Sequence, residues 1–168
     1  FTNLEIFNIF KSNKQILLYL FNSHLIQIDG SVVKQILTQT STIKHQKFFN
    51  DINSELEKFN KKNQYFYYDI FFYQEIKDQI DETMKEEIEQ KAMKLDPTIF
   101  TNFEEKRKIG ENENYICEMI RNDSVKEFIT YVNKTNLSLK FTKIKPSIFE
   151  TNPFLIKNFP SLIEYAAF

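Results

Sequence analysis

The chain reads as all-α: short helical hairpins stacked as a solenoid, with longer amphipathic helices in the middle. Three observations predict it. Apolar residues recur at three- and four-residue spacings along most of the chain, which is the period of one helix face. Only 2 glycines and 4 prolines occur in 168 residues, too few turn formers for an all-β fold of tight hairpins. A unit of short helix, polar break, second helix and polar tail also occurs twice, at the start of the chain and again from Tyr115. Such units hide their apolar faces by stacking on their neighbours.

The first stretch, 1–40, is an N-terminal helical hairpin. Thr2 and Glu5 have capping-box spacing, and Ile6, Phe7, Ile9 and Phe10 supply a short apolar face. Lys11-Ser12-Asn13 breaks the helix, and a second begins near Asn13 with Ile16, Leu17, Leu20 and Phe21 on its face. His24 to Ile28 alternates into the turn Asp29-Gly30. Ser31 is expected to cap a further short helix carrying Val32, Val33, Ile36 and Leu37.

A middle stretch, 46–96, follows a Thr/Ser-rich loop over 38–45. Phe48, Phe49, Ile52, Leu56 and Phe59 predict an amphipathic helix from Gln46 to Lys61. Periodicity leaves the aromatic cluster 65–73 open between an extended segment and the start of the next helix. Ile76, Ile80, Met84 and Ile88 then recur every four residues, one buried seam on a Glu- and Lys-rich surface helix that should end before Pro97.

The last stretch, 98–168, holds a degenerate hairpin and the start of a repeat. Thr101 and Glu104 are placed to cap a short helix interrupted at Gly110. Tyr115, Ile116, Met119 and Ile120 predict one helix, Asn122-Asp123 a break, and Ser124 with Glu127 the cap of another carrying Val125, Phe128, Ile129 and Val132. The final residues, Ser161-Leu162-Ile163-Glu164-Tyr165-Ala166-Ala167-Phe168, match the opening of an ankyrin repeat, Thr-Pro-Leu-His-x-Ala-Ala. Ser161 stands for Thr, Ile163 for Leu, and Ala166-Ala167 for the small pair that lets helices approach. Leu162 and Glu164 replace Pro and His, and Ser161 with Glu164 forms a capping box instead. A chain that stops just inside such a repeat is expected to continue into more of them.

A family resemblance covers most of the chain and is thin over 38–100. It is carried by Leu4-Glu5-Ile6-Phe7-Asn8-Ile9-Phe10-Lys11-Ser12-Asn13-Lys14-Gln15-Ile16-Leu17-Leu18, Arg107-Lys108-Ile109-Gly110-Glu111-Asn112 and Tyr115-Ile116-Cys117. It continues in Ile120-Arg121-Asn122-Asp123-Ser124-Val125-Lys126-Glu127-Phe128-Ile129, Tyr131-Val132-Asn133 and Pro146-Ser147-Ile148-Phe149-Glu150-Thr151-Asn152. Phe154-Leu155-Ile156-Lys157 and Leu162 to Phe168 complete it. In these stretches the chain resembles the large ankyrin-repeat protein families of parabasalid (trichomonad-type) protists, in the region upstream of their repeats. The resemblance implies an α-helical leader followed by ankyrin repeats, working as a protein-binding scaffold.

Residue chemistry points away from catalysis. His24, His45 and Cys117 have no metal-ligand spacing. His24 is expected to be packed at a helix end, His45 solvated in a loop, and Cys117 buried as a structural thiol. With two glycines the chain has no phosphate loop or nucleophile elbow. Glu86-Glu87 and Glu104-Glu105 are adjacent on helices, so each pair diverges and reads as surface charge. The expectation is therefore no enzyme, no cofactor, no metal and no small-molecule substrate.

A net charge of −1 creates no field for nucleic acid or membrane, and the longest apolar run, Ile16 to Phe21, is far too short to span a bilayer. A single cysteine fits a reducing compartment, so the expected location is cytoplasmic. The expected partner is another protein. Tyr65, Phe66, Tyr67, Tyr68, Phe71, Phe72 and Tyr73 are the aromatic contact candidates, and Lys140, Lys143 and Lys145 the basic ones. Two function classes follow. One is a non-enzymatic binding scaffold. The other is a structural component of a cytoskeletal or ciliary microtubule-associated assembly, the basic stretch meeting an acidic lattice such as tubulin.

Overall fold

A computed structural model of the chain describes residues 1–41, 67–145 and 147–168. The described residues are mostly helical. Their one β pairing is an isolated antiparallel bridge between Lys143 and Ser161. The all-α expectation is met. The helix expected over 46–61, with His45, Tyr65 and Phe66, lies outside the described residues.

The first hairpin is α1 (Asn3–Phe10) and α2 (Lys14–Asn22). Thr2 and Glu5 form the reciprocal capping box, and Asn13 caps α2 by accepting from Ile16 N at 3.0 Å. The face of α2 is rotated from the expected one. Leu17, Leu18 and Phe21 are buried together with Lys14, while Ile16 is 39% exposed. Phe21, common to both faces, meets Phe72 edge-on at 5.4 Å. His24 is exposed with φ 54, so it is not packed at the helix end.

Helix α3 (Gly30–Ser41) departs from expectation at both ends. Asp29, rather than Ser31, is its cap, accepting from the backbone N–H of Ser31 at 2.9 Å and of Val32 at 3.1 Å. Residues 38–41 are helix rather than loop, with Thr38 Oγ1 returning a hydrogen bond to Lys34 O at 2.6 Å. That back-bond is how a Thr is accommodated inside a helix.

From Tyr68 onward the aromatic cluster is helical, in two short pieces: α4 (Tyr68–Phe71) and α5 (Tyr73–Ile76), followed by a 3-10 turn over Lys77–Gln79. The single stripe expected from Ile76 to Ile88 is broken. Ile80 is extended, and Asp81 starts α6 (Glu82–Leu95) afresh by accepting from Met84 N at 2.8 Å. Helix α6 ends before Pro97, as expected, and buries only Ile88 and Ala92.

Helix α7 (Phe103–Ile109) starts without a side-chain cap, so Thr101 does not play that part. It closes at Gly110, whose φ of 71 is the left-handed conformation that glycine enters at least cost. The second hairpin, α8 (Tyr115–Arg121) and α9 (Val125–Thr135), forms where expected. The Ser124–Glu127 box does not, because Ser124 has ψ 59 and its side chain accepts no cap bond. Two short helices follow, α10 (Pro153–Asn158) and α11 (Leu162–Ala166).

Two hydrophobic clusters hold these elements. The larger joins Phe7, Leu17, Phe21 and Ile36 to Tyr68–Tyr73, then to Ile88, Ile99, Phe103 and Phe149. The first and middle stretches of the sequence thus share one core. The smaller cluster comprises Cys117, Ile144, Leu162 and Tyr165, packing α11 onto α8.

Candidate binding surface

Four of the aromatic contact candidates are interior. Tyr68, Phe71, Phe72 and Tyr73 are 2%, 0%, 0% and 7% exposed, which removes them from any surface a partner could touch. The reason is position: α4 is packed between α3 and α6. Phe72 meets Phe71 edge-on at 5.0 Å, the geometry favoured by ring quadrupoles. Each tyrosine finds a partner for its polar end: Tyr68 donates to Lys11 O and Tyr73 to a Glu89 carboxylate oxygen. Burial, with that bond to Glu89, pushes Tyr73 up to about 12. Tyr67 is half-buried, its ring 5.3 Å from the Lys91 ammonium.

Two cations are buried among these rings, and neither announces itself in the sequence. Lys14 donates to Ile148 O at 2.7 Å and lies 5.0 Å from the centre of the Phe71 ring. Burial lowers it to about 7, against the pull of Glu150, Asp69 and Glu113. Arg107 donates to Phe71 O at 2.7 Å, forks onto Glu75 at 2.7 and 2.8 Å, and reaches Glu104 at 2.8 Å. Burial would lower Arg107, but the Glu75 and Glu104 carboxylates raise it overall. Glu104, 57% exposed, lies at the surface as expected and is also an ion-pair partner of Arg107. The helical i, i+3 spacing of Glu104 and Arg107 is the one signal that pointed to it.

Beside the second cluster lies an open groove of about 970 Å³ whose lining includes Gln15, Gly110, Glu111, Arg121, Glu150 and Tyr165. Its polar groups are largely spent on one another. Arg121 Nε meets Glu111 at 2.6 Å, and Arg121 Nη1 donates to Asn112 O at 2.7 Å and to Tyr165 Oη at 2.9 Å. Cys117 is fully buried, and desolvation pushes its thiol up to about 12, so it is not poised as a nucleophile. Burial also raises the Glu150 carboxyl. Among the described residues no group of His, Cys, Asp and Glu is arranged to hold a metal ion. No helix among them is long and apolar enough to cross a membrane.

The basic candidates are at the surface. Lys140, Lys143 and Lys145 are all exposed, on the segment joining α9 to α10. Lys143 Nζ lies 3.3 Å from a Glu164 carboxylate oxygen. Phe141 was not among the expected contacts, and the apolar face expected on α9 is not buried. Phe141 is 76% exposed, and Val125 and Ile129 are 54% and 52% exposed on α9, a helix that buries no residue. The signal for Phe141 was present as an aromatic ring between lysines. Comparison with protein-family models, with curated proteins and with solved structures found no match.

Proposed function

We propose that this chain is the N-terminal part of a non-enzymatic, protein-binding scaffold of the ankyrin-repeat kind, in which helical hairpins stack and work by contact. The observation that carries this reading is the terminal motif. Ser161 N donates to Glu164 Oε2 at 2.6 Å, closing the reciprocal cap, and α11 lays Leu162 and Tyr165 against Cys117 on α8. A repeat-opening helix packed on the preceding hairpin is what a stack of such units requires. Pull-down with the full-length protein, followed by calorimetry on the purified pair, tests it. The expected result is a protein that binds directly at a fixed stoichiometry; failure to recover one rejects the reading.

A second reading, a structural component of a cytoskeletal or ciliary microtubule-associated assembly, is favoured by the exposed lysines of the 140–145 segment. An acidic lattice such as tubulin would attract them, and the attraction would fade with salt. Co-sedimentation with microtubules through a salt series decides it: absence of binding at low salt dismisses it. Both readings place the protein in the cytoplasm.

A further inference from the structure

The segment after α9 holds one aromatic ring out in water. Thr142 N donates to Ser138 O at 2.9 Å, Ser138 N to Thr142 Oγ1 at 3.0 Å, and Phe141 N to Ser138 Oγ at 3.2 Å. These bonds close a turn from within. Others pin it to the α11 region: Leu162 N to Thr142 O at 3.2 Å, Ile163 N to Leu139 O at 3.1 Å, and Ile144 N to Pro160 O at 2.9 Å. The backbone is thereby committed, and the side chains at its tip are left over.

Phe7, Phe71, Phe72 and Phe149 are fully buried, so this fold has room for rings inside. Phe141, at 76% exposure, is the most exposed aromatic of the described residues apart from the first residue of the chain, and Leu139 beside it is 42% exposed. A large ring held out by a hydrogen-bonded turn is the kind of rigid anchor that dominates interfaces.

Its surroundings are cationic. Lys140 Nζ lies 5.6 Å from the Phe141 ring centre, and Lys143 and Lys145 follow, both exposed. Lys143 faces Glu164, whose Oε2 is already engaged by Ser161 N and Oγ at 2.6 and 2.7 Å. Lys140 and Lys145 have no ion-pair partner among the described residues. A nucleic acid fits less well, since there is one ring, no Arg fork, and a carboxylate beside Lys143.

We propose that this turn, Ser138 to Lys145, docks an acidic extended segment of a partner protein. An apolar side chain of that segment covers Phe141, and its carboxylates meet Lys140 and Lys145. The proposal rests on the scaffold reading and names the chemistry of the partner.

The test is fluorescence anisotropy with the full chain, using a labelled glutamate-rich peptide with a central leucine and its all-glutamate counterpart, across a salt series. The leucine peptide is expected to bind more tightly. Phe141→Ser should weaken it by about tenfold or more. Lys140→Gln with Lys145→Gln should flatten the salt dependence. The unfolding midpoint should stay unchanged in every variant, because these side chains are exposed. Equal affinity for the two peptides, indifference to Phe141→Ser, or no binding at low salt overturns the proposal. So does stronger uptake of a single-stranded oligonucleotide or of phosphatidylserine vesicles. Pull-down separates the two levels. A full-length Phe141→Ser protein that recovers the same partner as wild type sinks the docking turn and leaves the scaffold standing. A wild type that recovers none sinks the scaffold reading.

Discussion

Arg107 and Lys14 are both buried cations, and the surroundings treat them in opposite ways. Arg107 has two carboxylates and a backbone carbonyl on its guanidinium, leaving only Nε without a hydrogen-bond partner among buried side-chain nitrogens and oxygens of the described residues. Arg107→Ala would strand the Glu75 carboxylate, which is 14% exposed, and should cost about 3–5 kcal/mol in urea unfolding. Arg107→Lys should recover only part, because an ammonium cannot fork onto Glu75 while holding Phe71 O. Among the described residues Lys14 has no salt bridge, and desolvation holds it at about 7, below its ordinary 10.5. Between those values the unfolded chain binds the proton and the folded chain does not. Stability should therefore rise as pH goes up from about 7. Lys14→Met should flatten that rise, read as urea midpoints at neutral pH and near pH 9. Above that, Cys117, raised to about 12 from 9.0, works in the opposite direction.

Elements start and stop here for reasons that are local until a neighbour intervenes. Thr2–Glu5 and Ser161–Glu164 form the boxes their spacing predicts, because both caps have extended backbones, with ψ 161 and 168. Ser124–Glu127 has the same spacing and fails with ψ 59. Spacing is necessary for the box; backbone geometry decides it. The two glycines make a controlled comparison. At Gly110, φ is 71, and a Cβ would run into the Gln15 side chain and meet Thr151 Oγ1 at 3.0 Å. Gly110→Ala should lose at least the left-handed penalty of roughly 1–2 kcal/mol, and more if the Gln15 bond to Arg107 O at 2.6 Å is displaced. At Gly30, nothing lies within 4 Å of an added Cβ. Gly30→Ala, in the first turn of α3, should gain about 0.5 kcal/mol by restricting the unfolded chain. Thermal melts of the two variants should move in opposite directions.

Across the whole molecule, the larger core is closed by the aromatic helices α4 and α5, which connect the first hairpin to α6, α7 and Phe149. Phe72→Ala removes the ring that touches Phe21, Tyr68 and Phe71, so it should cost about 3–5 kcal/mol. Phe141→Ser should leave the urea midpoint where it is. What the order of residues determined alone was the helical class, the two hairpins, the breaks at Ser12, Asn122 and Gly110, and the burial of Cys117. Each rests on a periodicity, a cap or a turn former acting within a few residues. Only the tertiary structure decided that Tyr68, Phe71, Phe72 and Tyr73 face inward while Phe141 faces water. It alone also broke the Ile76–Ile88 stripe at Ile80 and buried Lys14 and Arg107. Those outcomes depend on which distant carbonyls, carboxylates and rings arrive beside a residue. Ile148 O lies 134 positions from Lys14, and no local pattern encodes a contact at that range.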